Sequence, residues 1–389
     1  MTGTILVLNV GSSSIKFAAY PVHALQPALQ GALTGMGTGK PELEIDTDHG
    51  GLFDPAPAPP DLPEEELLAF LLGLLAERLS GIVAVGHRIV HGGRSHTAPV
   101  LLTDAIIADL QALVPLAPLH EPHNLHGVAA ARRIWPEAAQ VGCFDTAFHR
   151  TQPEVAQRFA IPGDLHDAGI QRYGFHGLSY QFIAGSLPDH IGSLAAGRVI
   201  VAHLGNGASL CAMKEGKSVA TTMGMTALDG LVMGTRSGAI DPGAVLHLLD
   251  AHAMSSAEVS DLLYTRSGLR GVSGLSGDLR VLEASTDPNA ELAQALFAYR
   301  AQQEIGALAA SLGGLDALVF TAGIGQFSAT MRARICEGMG WIGLDLDPGA
   351  NSRNAIHLQR DDSPVRILAL PTDEEIVIFR ATRGFISEG

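Results

Sequence analysis

Apolar residues fall into short runs separated by small or polar residues. Residues 5–8, 15–20, 82–85, 141–144, 199–202, 210–213, 317–320 and 365–370 are each four to six residues long and predict strands. Between them, 103–114, 124–134, 179–184, 290–312 and 374–385 carry helical spacing. A further apolar run at 67–76 follows Glu64-Glu65-Glu66, an acidic first turn that suits a helix dipole. Strands alternating with helices predict an α/β class, with sheets covered by helices. The Pro-rich stretch 54–63 predicts a stiff surface connection. One layout recurs: Ile5-Leu-Val-Leu-Asn9-Val-Gly-Ser-Ser-Ser14 and Val199-Ile-Val-Ala-His203-Leu-Gly-Asn-Gly-Ala208 both read strand, small-residue turn, strand. Gly11 and Gly205 are 205 − 11 = 194 positions apart, about half of the chain, which predicts two similar domains with a cleft between them.

Composition narrows the class. The 389 residues suffice for two or three domains, and 47% apolar against 17% charged content excludes a disordered chain. The 45 glycines follow no three-residue period, so they predict turns and not collagen. Twenty-five Lys+Arg against 40 Asp+Glu give a net charge of −15, which argues against general binding to nucleic acid or anionic membranes. Cys143, Cys211 and Cys336 match no zinc or disulfide spacing. The apolar start is short and no run is long enough to span a bilayer, so a soluble cytoplasmic chain is expected.

Candidate chemistry sits in the turns. In Asn9-Val-Gly-Ser-Ser-Ser-Ile-Lys16, backbone N–H groups, Ser12, Ser14 and Lys16 can meet phosphate oxygens, although the spacing is not that of a Walker A loop. A plain polar hairpin is the competing reading. Gly86-His-Arg88-Ile-Val-His91-Gly-Gly and Gly234-Thr-Arg236-Ser-Gly each frame an arginine with glycines. Two such arginines in one cleft would neutralise a carboxylate and a transferring phosphoryl group, whereas elsewhere they would form surface ion pairs. Asp145 closes the run 141–144, and His176 lies between Phe175 and Gly177. Asp145 can orient an arginine or cap a turn; His176 can donate to a phosphoryl oxygen or fill the core. Late turns at Ala322-Gly-Ile-Gly325 and Gly271–Arg280 can hold a nucleoside, and Glu374 can hold Mg²⁺ or complement a helix start. His120, His123 and His126 recur every three residues without zinc-site spacing.

Together these segments, in order from Asn9 to Glu375, resemble the acetate kinase family of the acetokinase group. The resemblance implies an α/β fold of two related actin-like domains, of the sugar-kinase and heat-shock-ATPase type, around a central cleft. The domains would be 1–148 plus 376–389, and 149–375. It implies reversible phosphoryl transfer from ATP to acetate with Mg²⁺ or Mn²⁺, by a cytoplasmic homodimer. By position, Arg88, Arg236, His176, His120 and Asp145 would be catalytic, and Asn9 and Glu374 would hold the metal. Val90, Leu119, Phe175 and Ala227 would line the acyl pocket. Ser12, Ser14, Lys16, His203, Asn206 and Gly207 would serve the phosphates, and Asp278, Leu279, Arg280, Gly323, Ile324, Gln326 and Phe327 the nucleoside. The chain departs from the family pattern at Gln326-Phe327 for Glu-Asn, Glu121-Pro122-His123 for Asn-Pro-Pro, Asp373 for Asn and Ala227 for Pro. Competing expectations are a propionate or butyrate kinase, a non-catalytic actin-like nucleotide switch and a zinc hydrolase.

Overall fold

The structure, a computed structural model, describes residues 3–11, 14–36, 40–46, 59 and 62–387. The chain divides into two compact units, Met1–Ala147 with Asp373–Gly389 and Phe148–Thr372. Among the described residues no helix is long and apolar enough to cross a membrane.

Unit 1 is built on β1 (Thr4–Val10), β2 (Ile15–Pro21), β3 (Leu29–Thr34), β4 (Glu42–Ile45), β5 (Ile82–Ile89), β6 (Val100–Leu101) and β7 (Ala139–Phe144), in the order β4-β3-β2-β1-β5-β7-β6. Unit 2 holds β8 (Val199–Leu204), β9 (Ala208–Lys214), β10 (Lys217–Thr221), β11 (Ala317–Thr321) and β12 (Arg366–Ala369), in the order β10-β9-β8-β11-β12. Five strands repeat in order and sense. β3-β2-β1 and β10-β9-β8 are antiparallel meanders, and β1-β5-β7 and β8-β11-β12 are parallel. The recurrence 194 residues apart is thus a repeat of a whole sheet core.

Parallel strands covered on both faces need nearly continuous apolar sequence, and Ile5–Leu8 and Val199–Ala202 are all at most 1% exposed. In unit 1 the helix Glu64–Arg78 buries Leu67, Leu68, Leu71, Leu72 and Leu75 against Leu6, Leu8 and Phe17. The C-terminal helix Glu374–Ser387 buries Ile376, Val377, Ile378 and Phe379 in the same unit, and the Phe379 ring stacks on Tyr20 with centroids 4.4 Å apart. A boundary after residue 375 would assign Glu374 to the second domain. Its bond from Asn9 and the start of this helix set it in unit 1.

Several elements differ from the sequence pattern. β5 runs on to Ile89 because it pairs with β7 through Ile89↔Phe144, so Arg88 lies inside the strand and not after it. The helix expected from Asn124 begins at Glu121, since Pro122 occupies the first turn, where a missing N–H costs nothing. Ala322-Gly-Ile-Gly325 is helical, not a turn: the helix Ala322–Phe327 starts directly from β11, with Ala322 in the left-handed region at φ 63°. β3 and β10 carry too few apolar residues to show the strand pattern, and β4 and β6, four and two residues long, are too short to show it. Most of 54–63 lies outside the described residues.

Gly86 in β5 is where the C-terminal helix seats. A Cβ there would meet Thr382 Oγ1 and Ile378 Cγ2 inside contact distance. Gly86→Ala is expected to destabilise the protein by about 1–3 kcal/mol, the cost of overpacking a filled core. Denaturant titration measures this, and an unchanged midpoint would show that the helix does not depend on this approach.

Candidate active site

Asn9 and Arg88 lie near the carboxyl ends of the parallel strands β1 and β5, and Asp145 directly follows β7. Side chains there point beyond the sheet edge, where open α/β sheets place ligands. The Arg88 guanidinium donates from Nε (3.0 Å) and Nη2 (2.5 Å) to Asp145 Oδ2, and from Nη1 to Asn9 Oδ1 at 3.2 Å. Its Nε stands 3.9 Å from Glu374 Oε2, and Asn9 Nδ2 donates to that oxygen at 3.2 Å. Burial alone would lower the pKa of Arg88. Asp145, and after it Glu374, outweigh burial and raise it, so the charge is permanent. The Asp145 side chain is 1% exposed, and a buried pair of this kind costs about 3–5 kcal/mol when one partner is removed.

Glu374 and Glu375 open the C-terminal helix, where the dipole favours carboxylates. Burial, then repulsion from Glu374, raises the pKa of Glu375, and Lys16 opposes the shift. Lys16 stands opposite Asn9 in the β1–β2 register. Ser14 closes the same hairpin through its carbonyl, which accepts Gly11 N–H at 2.9 Å; Ser12 lies outside the described residues. His120 is the N-cap residue of the helix Glu121–Ile134. Val90 is buried, with its N–H donated to Asn124 Oδ1 at 2.8 Å, and Leu119 is exposed.

In unit 2 the β8–β9 loop Gly205-Asn206-Gly207 closes through Gly205 N–H to Gly207 O at 3.0 Å. A Cβ on Gly207 would stand 2.9 Å from Arg236 Nη2 and 3.3 Å from His176 Nε2, so only glycine leaves room for both donors beside the turn. His176 adopts φ 58°, ψ 26° and stacks on His203, with centroids 4.1 Å apart. A left-handed non-glycine residue costs roughly 1–3 kcal/mol, and such strain clusters at functional sites. Arg236 Nη1 donates to Ala227 O at 2.7 Å, so Ala227 positions the arginine through its backbone. Phe175 is buried, and its carbonyl bonds His149 Nε2 at 2.9 Å.

A cavity of about 670 Å³ opens beside the same loop. Asn206, Asp278, Leu279, Arg280, Gly323, Ile324 and Phe327 line it. Phe327 is 67% exposed, an aromatic face open to a ligand. Gln326 does not line the cavity; its carbonyl accepts from the buried Arg332 at 2.7 Å, as Gly325 O does at 3.0 Å. Arg332 thereby fixes the helix that carries Gly323 and Ile324.

Sequence reasoning missed several groups. Glu283 lines the cavity and accepts from Ser328 Oγ at 2.5 Å. Ser209 bonds His176, and its place two residues after Gly207 on an alternating strand was the available signal. Among the described residues no group of three or more His, Cys, Asp or Glu is arranged to hold a metal ion, so His120, His123 and His126 form no such cluster. Glu121 looks like an ordinary helix-start acid, yet it is fully buried, with Oε2 accepting His91 N–H at 3.1 Å. Burial pushes its pKa up to about 8, against the His91 N–H, with Asp145 adding to the rise and Arg88 opposing it. Because the folded pKa exceeds the unfolded one, Glu121 contributes stability below the unfolded value and loses it as pH rises through about 8. Glu121→Gln, which stays neutral, is expected to gain stability relative to the parent between pH 5 and pH 9 in denaturant titrations. Parallel stability curves would contradict this.

Comparison with known proteins covers nearly the whole chain. The model of the family described as "Acetokinase family" matches residues 4–380. The acetate kinase of Rhodopseudomonas palustris (strain TIE-1) is 49% identical over 392 residues, covering 98% of each chain. That of Methylocella silvestris is 47% identical over 402 residues, covering 100% of this chain and 99% of the relative. Among solved structures, Porphyromonas gingivalis acetate kinase superposes with a TM-score of 0.86 at 37% identity, covering 99% of this chain and 100% of that one. A propionate kinase from Francisella tularensis gives a TM-score of 0.90 at 36% identity, covering 98% and 99%. Similarity over nearly the whole length makes this chain a member of the acetokinase family and hence a kinase.

Proposed function

We infer that the chain catalyses reversible transfer of the γ-phosphoryl group of ATP to acetate, giving acetyl phosphate and ADP. The observation that carries this reading is the Arg88 guanidinium, fixed by Asp145 and Asn9. Three of its five N–H groups are committed to those residues, which leaves two for an anionic oxygen. A carboxylate acceptor is already ionised at neutral pH, so the reaction needs no strong base. The work left is to position two anions that repel each other and to neutralise charge as the phosphoryl group moves in line.

Arg88 takes the acetate carboxylate, and Asp145 holds the guanidinium plane. Arg236 and His176 Nε2, both beside Gly207, donate to the equatorial oxygens of the transferring group, with His120 as a further donor. Backbone N–H groups of Asn206 and Gly207, with His203 nearby, take phosphate oxygens; the family resemblance gives Ser12, Ser14 and Lys16 the same kind of role. Leu279, Ile324 and Phe327 offer apolar faces to the nucleobase. Asp278 and Arg280 are committed to each other through a 2.6 Å contact, which leaves Phe327 stacking as the main purchase on the base. Asn9 and Glu374 suit Mg²⁺ or Mn²⁺, since one amide oxygen and one carboxylate are hard donors that leave room for water and phosphate. When bound, the ion neutralises charge on the nucleotide phosphates.

By the family resemblance, Val90, Leu119, Phe175 and Ala227 supply apolar acyl contacts. Alanine at 227 in place of the family's proline favours a second reading, in which propionate also serves. One methylene is worth only about 1–3 kcal/mol of discrimination. The family resemblance further implies a cytoplasmic homodimer.

A hydroxamate assay with ATP and Mg²⁺ against acetate, propionate and butyrate tests the reading. Acetyl hydroxamate is expected with the parent chain, with lower kcat/KM for propionate. Arg88→Ala and Arg236→Ala should each cost about 10²–10³ in kcat. Near-normal turnover in both variants would overturn the assignment.

A further inference from the structure

We propose that Tyr180 and Ser209 are positioning residues, a hydroxyl chain that makes His176 Nδ1 an acceptor and so leaves its proton on Nε2. The proposal rests on the reading that His176 donates to the transferring phosphoryl group.

The chain is short and buried. Tyr180 lies one helical turn after His176, its N–H bonded to His176 O at 3.0 Å. Its ring packs among Ile183, Val199 and Cys211 in an apolar cluster. The phenol oxygen is 2.6 Å from Ser209 Oγ, and Ser209 Oγ is 2.8 Å from His176 Nδ1. Tyr180 and Ser209 are both 0% exposed.

Counting hydrogens sets the direction. Among the described residues the Tyr180 hydroxyl has one polar partner, Ser209 Oγ. If Ser209 donated to Tyr180, the phenol hydrogen would be buried without an acceptor, at a cost of roughly 1–3 kcal/mol. Burial raises the Tyr180 pKa well above its ordinary value, so the hydrogen stays on the phenol. Tyr180 therefore donates to Ser209. The Ser209 hydrogen is then available to His176 Nδ1, which must accept. A neutral imidazole that accepts at one nitrogen carries its hydrogen on the other.

The consequence falls where the chemistry needs it. Nε2 is the nitrogen beside Gly207 and Arg236, so the chain converts a ring nitrogen into a donor at the phosphate turn. His203 shows the same construction, with Nδ1 2.8 Å from Ser179 Oγ, which accepts from Thr372 Oγ1 at 2.9 Å. The two rings stack with centroids 4.1 Å apart, and a serine stands at Nδ1 of each.

Long-range ¹⁵N–¹H spectra of the histidine-labelled full chain test the proposal, with the His176 ring assigned by its loss in His176→Gln. Nδ1 is expected to be unprotonated, with Nε2 bearing the hydrogen. A proton on Nδ1, alone or together with one on Nε2, overturns the proposal without any variant having to fold. In turnover, Ser209→Ala should lower kcat about 10–100-fold with KM nearly unchanged, the range typical of partners that orient a functional histidine. Tyr180→Phe should lower kcat by a smaller factor. Its effect should vanish in the Ser209→Ala background, because Tyr180 acts through Ser209. Additive losses would instead assign the phenol a separate packing role and overturn the chain. Absence of acyl phosphate from the parent protein would defeat the functional reading alone, since the spectra report the hydrogen positions without turnover.

Discussion

A permanent cation held near the carboxyl ends of the buried parallel strands β1 and β5 constrains much of unit 1. Arg88 tolerates its burial because Asp145 and Asn9 bond it and Glu374 stands close. Each comes from a different element: β5 supplies the arginine, the end of β7 the aspartate, β1 the asparagine and the C-terminal helix the glutamate. The chain must therefore return to its first unit after residue 372 to complete the set, and Gly86 leaves room for the returning helix. Removing a single partner leaves charge without compensation, which is why the pair is costly to break even though its net contribution to stability is small.

Unit 2 repeats the same five-strand order and solves a different problem. Its hairpin loop uses Gly207 for close approach, which leaves room for the His176 imidazole and the Arg236 guanidinium beside the turn. Donors fixed in place before the reaction need no reorganisation as charge develops. The strained φ of His176 and the buried serine behind it belong to that fixing. Fold repetition and different side-chain chemistry thus coexist: one strand order carries the bonded Arg88–Asp145 pair in unit 1 and the glycine turn beside His176 and Arg236 in unit 2.

Much of this was legible in the residues. Strands β1, β8 and β11 announce themselves because both faces are covered, so their apolar runs are unbroken. Glycine-framed Arg236 and Gly207 stood out, since close approach leaves a compositional trace, and so did Arg88, although it lies inside β5 and not in a turn. What stayed hidden depends on tertiary burial. Glu121 has the spacing of a surface helix cap, and only packing shows it to be inside. Ser209 and Tyr180 sit in apolar stretches and carry no local signal of mutual contact. β4 and β10 are short edge strands of four and five residues, with too few apolar positions to stand out. The helix start at Glu121 stayed hidden as well, because whether Pro122 falls in the first turn depends on where the helix begins.

The central claim is that these side chains position and neutralise, and that none of them accepts the phosphoryl group itself. Stereochemistry tests this most directly. ATP made chiral at the γ-phosphorus with oxygen isotopes should give acetyl phosphate of inverted configuration, as a single in-line displacement requires. Net retention would demand a covalent phosphoenzyme and contradict the account.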